Sequence, residues 1–251
     1  MQTDLHMYPY KVQLVQELKP IDYQQRLNYA IRIQKMARED NNLIHNLIMG
    51  DEAHFQLNGS VNKQNTRFWG TENPRVIHQH EFHPLKVTVW CGVTSERVIG
   101  PYFFEDEDGN TVTVTGDRYR AMLENFVRPA VEDMPETWWQ QDGATAHTAR
   151  ATMQLLRQIF KDRIISRKSD FNWPPRSPDL TAPDFFLWGY LKDRVYVNKP
   201  GTIQQLKDNI REEIQALEPD MLRAVMEYAV ERARACEAEN GGHLRDIIFR
   251  T

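Results

Sequence analysis

Apolar and polar positions along the chain follow two periods, and together they predict a mixture of helices and strands. Over 23–38, Leu27, Ala30, Ile31, Ile33 and Met36 recur at helical spacing on an imperfect face. In LIHNLIMGDEAHFQLNGS, the apolar block Leu47, Ile48 and Met49 is followed by Phe55 and Leu57, which alternate with polar neighbours at strand period. Asn58-Gly59 then signals a hairpin turn. Residues 60–84 are irregular, rich in Asn, His and Pro. KVTVWCGV and RVIGPYFF, separated by Thr94, Ser95 and Glu96, read as an antiparallel pair of strands, and TVTV at 111–114 as a third short strand.

Gly116-Asp117 opens a helix with Tyr119, Met122, Leu123, Phe126 and Val127 on one face. A strand over 138–141, a helix in ARATMQLLRQIF and a short strand at Ile164 and Ile165 come next. Pro174, Pro175, Pro178 and Pro183 exclude regular structure over 173–183, while Pro183 suits the first turn of a helix running to about Tyr196. Two amphipathic helices close the chain. One starts at Thr202, with Gln205 at capping-box spacing and the stripe Ile203, Leu206, Ile210, Ile214 and Leu217. The other carries Leu222, Val225, Met226, Ala229 and Ala233. Strand–helix–strand units after an antiparallel opening predict an α/β sheet of mixed direction.

Composition narrows the class. The 251 residues suffice for one large domain or one domain with a small appendage, and 41% hydrophobic with 26% charged residues suits a soluble globular chain. No run of about 18 apolar residues predicts a membrane span, and MQTDLHMYPYK lacks the apolar centre of a signal peptide. Cys91 and Cys236 make neither a disulfide framework nor a zinc site and read as thiols in a reducing compartment. His78, His80 and His83 fit no zinc spacing, and EDEDGN reads as a solvated acidic loop. A net charge of −4 argues mildly against a general nucleic-acid binder.

Three acids carry the candidate chemistry. Asp51 falls inside a predicted strand, where Asp is disfavoured; a functional site or a surface edge would each account for it. Asp142 ends a predicted strand and is followed by Gly143; it is either a metal or acid/base group or a turn and cap residue. Asp184 opens a helix, where the helix dipole alone would favour it. Asp179 reads as a turn residue. His147 either orients a phosphate or water near Asp142 or, more plainly, is a hydrogen-bonded residue in the first turn of a helix. Carboxylates brought together repel until one protonates or a cation enters, and hard oxygen ligands suit magnesium or manganese.

GDEAHFQLNG, VTVWCGV, WWQQDGATAHTA and WPPRSPDLTAPDFFLWGYLK together resemble the mariner-like transposases, over nearly the whole chain from about Tyr8. The resemblance implies an α/β, RNase H-like mixed sheet flanked by helices. It implies three metal-binding catalytic acids: Asp51 in GDEAHF, Asp142 in QQDGA, and Asp184, not Asp179, at the end of the SPDL pattern. The spacing from Asp142 to Asp184 matches a long-spacing DDD branch. Two Mg2+ or Mn2+ ions would serve phosphodiester hydrolysis at transposon ends and strand transfer to target DNA. The implied partners are terminal inverted repeats and target DNA, with a possible homodimer, no membrane, and the nucleus as location. Residues 1–42 are then a linker or helical remnant after a missing helix-turn-helix region, and 43–251 the catalytic domain.

Between Asp142 and Asp184 the charge balance turns basic, and Arg150, Arg167, Lys168 and Arg176 are candidate DNA contacts; ordinary solvated charge is the other reading. Two alternatives stay open. One is a domesticated or relic core that binds DNA or protein without catalysis. The other is a stand-alone metal-dependent nuclease, which would cut but not join.

Overall fold

The computed structural model describes residues 15–59 and 85–244. The spacing of apolar residues in the middle of the chain builds a five-stranded sheet in the order β3-β2-β1-β4-β5. Strand β1 (Leu47–Gln56) pairs antiparallel with β2 (Lys86–Val93), and β2 antiparallel with β3 (Val98–Phe103). On the other side, β1 pairs parallel with β4 (Trp138–Gln140), and β4 parallel with β5 (Ile164–Ile165). The expected mixed sheet is therefore the one observed.

Successive residues of a strand face opposite sides, and β1 shows what each side buries. Leu47, Met49 and Phe55 join a core with helices α1 (Pro20–Glu39), α5 (Trp188–Arg194), α6 (Ile203–Gln215) and α7 (Pro219–Ala238). Ile48 joins a second core with Trp90, Trp139 and the helices α2 (Gly116–Met122) and α4 (Arg150–Phe160). Trp139 stacks on Trp90 at 5.7 Å and on Phe160 at 5.0 Å between ring centroids. The Trp90 indole lies where Gly92 has no side chain: a Cβ on Gly92 would stand 2.9 Å from it and 2.8 Å from Ile48.

Helix α1 is built into the first core. Asp22 caps its own first turn by accepting from the Lys19 backbone N–H at 2.7 Å, and Tyr29, Ala30 and Ile33 are buried. Its Arg26, fully buried, meets Asp179 at 2.7 and 2.6 Å, one bond to each carboxylate oxygen. Arg26 also donates to the carbonyls of Gly241 and Gly242 after α7.

TVTV is not a strand. Only a single bridge, Glu105 to Thr111, continues the pairing. The acidic turn reverses the chain: Asp106 accepts from the backbone N–H groups of Asp108 and Asn110, and the Val112 N–H bonds back to the Phe104 carbonyl just past β3, after which the pairing stops. The alternation instead docks Val112 and Val114 on the second core. The helix expected from Pro183 is split into a π-helical turn (Pro183–Leu187) followed by α5. Gly59, at φ +61°, makes a turn after β1, but not the expected tight hairpin: β1 pairs with β2 from Lys86 onward, and the Leu57 N–H bonds to the Leu85 carbonyl. His78, His80 and His83 lie outside the described residues. Among the described residues no helix is long and apolar enough to cross a membrane.

Candidate active site

The parallel pairing of β1 with β4 places the first two acids. Met49 is the register partner of Gln140. Two residues further along each strand come Asp51 and Asp142, which therefore stand at the same level where β4 ends. Asp184 comes from the π-helical turn Pro183–Leu187, which packs against β1. One turn on, the Trp188 indole N–H donates to Asp51 Oδ2 at 2.8 Å, tying the third acid's helix to the first acid. The structure thus brings Asp51, Asp142 and Asp184 to one cleft of about 1170 Å³, together with Glu52.

Glu52 escaped the sequence reading. The signal was the Asp-Glu pair itself, since neighbours on a strand face opposite ways. Asp51 shares the face of Met49, toward the turn with Asp184. Glu52 shares the face of Ile48, toward Tyr119 and His147. There His147, 2% exposed, lies between two carboxylates: Nδ1 is 2.5 Å from Asp142 Oδ1 and Nε2 is 3.1 Å from Glu52 Oε1. The Tyr119 ring covers the imidazole at 4.1 Å. Gln141 holds this corner together: it accepts from Tyr119 and Trp139 and donates to the His147 carbonyl and to Ser166. His147 is thus the hydrogen-bonded residue of a first helical turn and also part of the acidic cluster.

The electrostatics divide the acids into two kinds. Burial, then the charges of Asp184 and Glu52, pushes Asp51 well above the usual carboxylate range. Burial, then the charge of Asp142, pushes Asp184 up to about 7. Burial would raise Asp142 too, but its bonds from His147 and the Ala144 N–H outweigh that and lower it. Burial opposes charge on His147, yet Glu52 and Asp142 together raise it to about 10. Carboxylates that raise one another in this way, with oxygen as the donor atom throughout, fit a hard divalent cation in donor chemistry. Among the described residues, however, no three His, Cys, Asp or Glu side chains stand close enough to form a ready-made cage.

The basic residues separate as well. Arg167, Lys168 and Arg176 line the cleft, whereas Arg150 is exposed at the start of α4. Arg176 is paired with Asp22 at 2.6 Å, and Lys168 Nζ donates to the Thr148 carbonyl at 3.2 Å. Arg167 lies against Gly143, next to Asp142. Arg32 of α1, also unforeseen, lines the cleft and donates to the Asp170 carbonyl at 2.5 Å. Asp179 is in a turn as expected, a 3-10 turn over Pro178–Leu180, where it serves the buried Arg26.

No protein-family model and no curated protein matches the chain. Solved structures do. A Mos1 transposase paired-end complex with the left transposon end is similar over 97% of this chain and 70% of that one, at 19% identity and TM-score 0.78. The Mos1 transposase catalytic domain with Raltegravir and Mg is similar over 92% of this chain and 100% of that one, at 19% identity and TM-score 0.71. The catalytic domain of Mos1 mariner transposase alone gives 93% and 100%, 18% identity and TM-score 0.71. The chain has the RNase H-like fold of the Mos1 mariner transposase catalytic domain.

Proposed function

We propose that the chain is the catalytic domain of a divalent-metal-dependent DNA transposase, with Asp51, Asp142 and Asp184 as its metal-holding acids. The observation that carries this reading is the convergence of Asp51, Asp142 and Asp184 on one cleft, where burial and mutual charge raise Asp51 and Asp184. Mg2+ or Mn2+, when bound, supplies the positive charge that activates an attacking oxygen and stabilises a leaving one. The three acids hold the cations, Trp188 fixes Asp51, and the walls of the cleft take the DNA. Arg32, Arg167 and Lys168 suit phosphate contacts, because no carboxylate among the described residues pairs with them; Arg176 is neutralised by Asp22. In this reading hydrolysis at a transposon end is followed by attack of the freed 3′-hydroxyl on a target phosphodiester, which joins the two strands and releases a target 3′-hydroxyl, by a homodimer, in the nucleus.

A second reading is supported by one specific feature. Asp142 is already compensated by His147, and no ready-made cage is present among the described residues, as suits a domesticated core that binds DNA without cutting it.

The test uses a short duplex with an exposed 3′-hydroxyl end and a supercoiled plasmid target, with Mg2+, Mn2+ or EDTA. Metal-dependent joining that is lost in Asp142→Asn and Asp184→Asn supports the transposase. Cutting without joining points to a plain nuclease. Binding without either favours the domesticated core.

A further inference from the structure

The geometry points to Glu52 and His147 as a positioning pair that fixes Asp142 for metal; this rests on the reading of the acids as a metal centre. Asp142 Oδ1 is doubly occupied. It accepts from the Ala144 backbone N–H at 2.9 Å and from His147 Nδ1 at 2.5 Å. That leaves Oδ2 as the oxygen available to a cation, so Asp142 enters the site as a one-oxygen ligand with its rotation locked.

The lock extends beyond His147. The imidazole is buried, covered by Tyr119 at 4.1 Å, and its far nitrogen meets Glu52 Oε1 at 3.1 Å. Its own carbonyl accepts from Gln141 Nε2 at 3.0 Å. A carboxylate offers only acceptors, so both ring nitrogens donate, and the ring can neither flip nor withdraw without breaking a bond. Glu52 stands on β1, directly after Asp51. Strand β1 therefore sets Asp142 twice: through the backbone register of Met49 with Gln140, and through the side-chain relay from Glu52. Outer partners of this kind orient a metal ligand, and losing one typically costs about 10–100-fold in metal affinity or activity.

The experiment titrates Mn2+ into the parent, Glu52→Ala and Glu52→Gln, reading bound ion by electron paramagnetic resonance, with thermal melts in EDTA alongside. Glu52→Gln keeps an acceptor oxygen for His147; Glu52→Ala removes it. The expected result is a loss of about 10–100-fold in Mn2+ affinity for Glu52→Ala and most of it regained in Glu52→Gln. If Glu52→Ala does not melt cooperatively, Glu52→Met, which fills the space without an acceptor, replaces it. Parent-like affinity in the variant lacking the acceptor overturns the positioning role. Loss in Glu52→Gln as deep as in Glu52→Ala overturns it too, because the charge would then act directly on the ion. A parent that binds no Mn2+ overturns the metal centre itself, which separates that failure from failure of the pair.

Discussion

The Trp188 indole N–H donates to Asp51 Oδ2 at 2.8 Å, so the helix behind the third acid is fastened to the strand bearing the first. Trp188→Phe keeps most of the ring and removes the donor. An unfolding free energy lowered by about 1–3 kcal/mol is expected, with weaker Mn2+ binding, because the Asp51 carboxylate is left short of a partner. Denaturant unfolding and Mn2+ titration check both; an unchanged affinity would show that Asp51 is placed by its strand alone.

Asp179 sits in the SPDL motif but serves the fold. Arg26 is fully buried and bonded to both of its carboxylate oxygens. Asp179→Ala should cost about 3–5 kcal/mol by stranding that guanidinium, with Asp179→Asn milder. Nicking per folded molecule should change little in either. Chemical denaturation and an activity assay below the melting temperature separate the two effects.

Without metal, stability should fall as pH rises from about 4 to about 7. Asp184, at about 7 in the fold against 3.8 ordinarily, and Asp51 hold protons more tightly folded than unfolded. The Asp184 contribution is present below 3.8 and lost as pH rises through about 7, and Asp51 acts in the same direction. His147 adds a second decline: its contribution is full below 6.5 and lost as pH rises through about 10. Melting curves in EDTA from pH 4 to 10 test this, and Mg2+ or Mn2+ should restore most of the loss near pH 7.

The acids should respond unequally to neutralisation. Asp184→Asn removes a carboxylate raised by its neighbours, so the metal-free protein should melt higher at pH 8 and little differently at pH 4. Asp142→Asn, although a milder repulsion among acids would argue for a gain, should melt lower at pH 8 because His147 loses a charged partner. Both should lose metal-dependent nicking. A gain in Asp142→Asn would mean that repulsion outweighs the histidine.

Gly92→Ala should destabilise by about 1–3 kcal/mol, since its Cβ would press on Ile48 and Trp90 at 2.8 and 2.9 Å. A double-mutant cycle with Trp90→Phe should recover part of that cost.

Much of this was legible in the chain. Apolar runs over β1 and β2 and helical stripes over α6 and α7 announced those elements, because the strands are buried on both faces and each helix buries one face against a core. The acids were legible through local rules they broke or exploited. Glu52 was not, because its role depends on His147, 95 residues away in sequence. Arg32 was missed for the same reason: it meets the Asp170 carbonyl across 138 residues. TVTV misled, because alternation reports which faces are buried and not whether a neighbouring strand is there to pair. Asp179 showed its turn in the sequence, but the buried arginine it serves lies 153 residues earlier.

The π-helical turn Pro183–Leu187 separates where Asp184 sits from how far along the chain it sits. Its place comes from packing on β1 and from the Trp188 bond to Asp51. The residues between Asp142 and Asp184 go into α4, β5 and the proline-rich return. A residue gained or lost in the exposed turn at Lys161 and Asp162, between α4 and β5, would alter the count between the acids without moving the carboxylate, because surface loops absorb length changes that cores do not. The interval between second and third acid is therefore free to drift among descendants, and works as a mark of lineage more than as a ruler of the site.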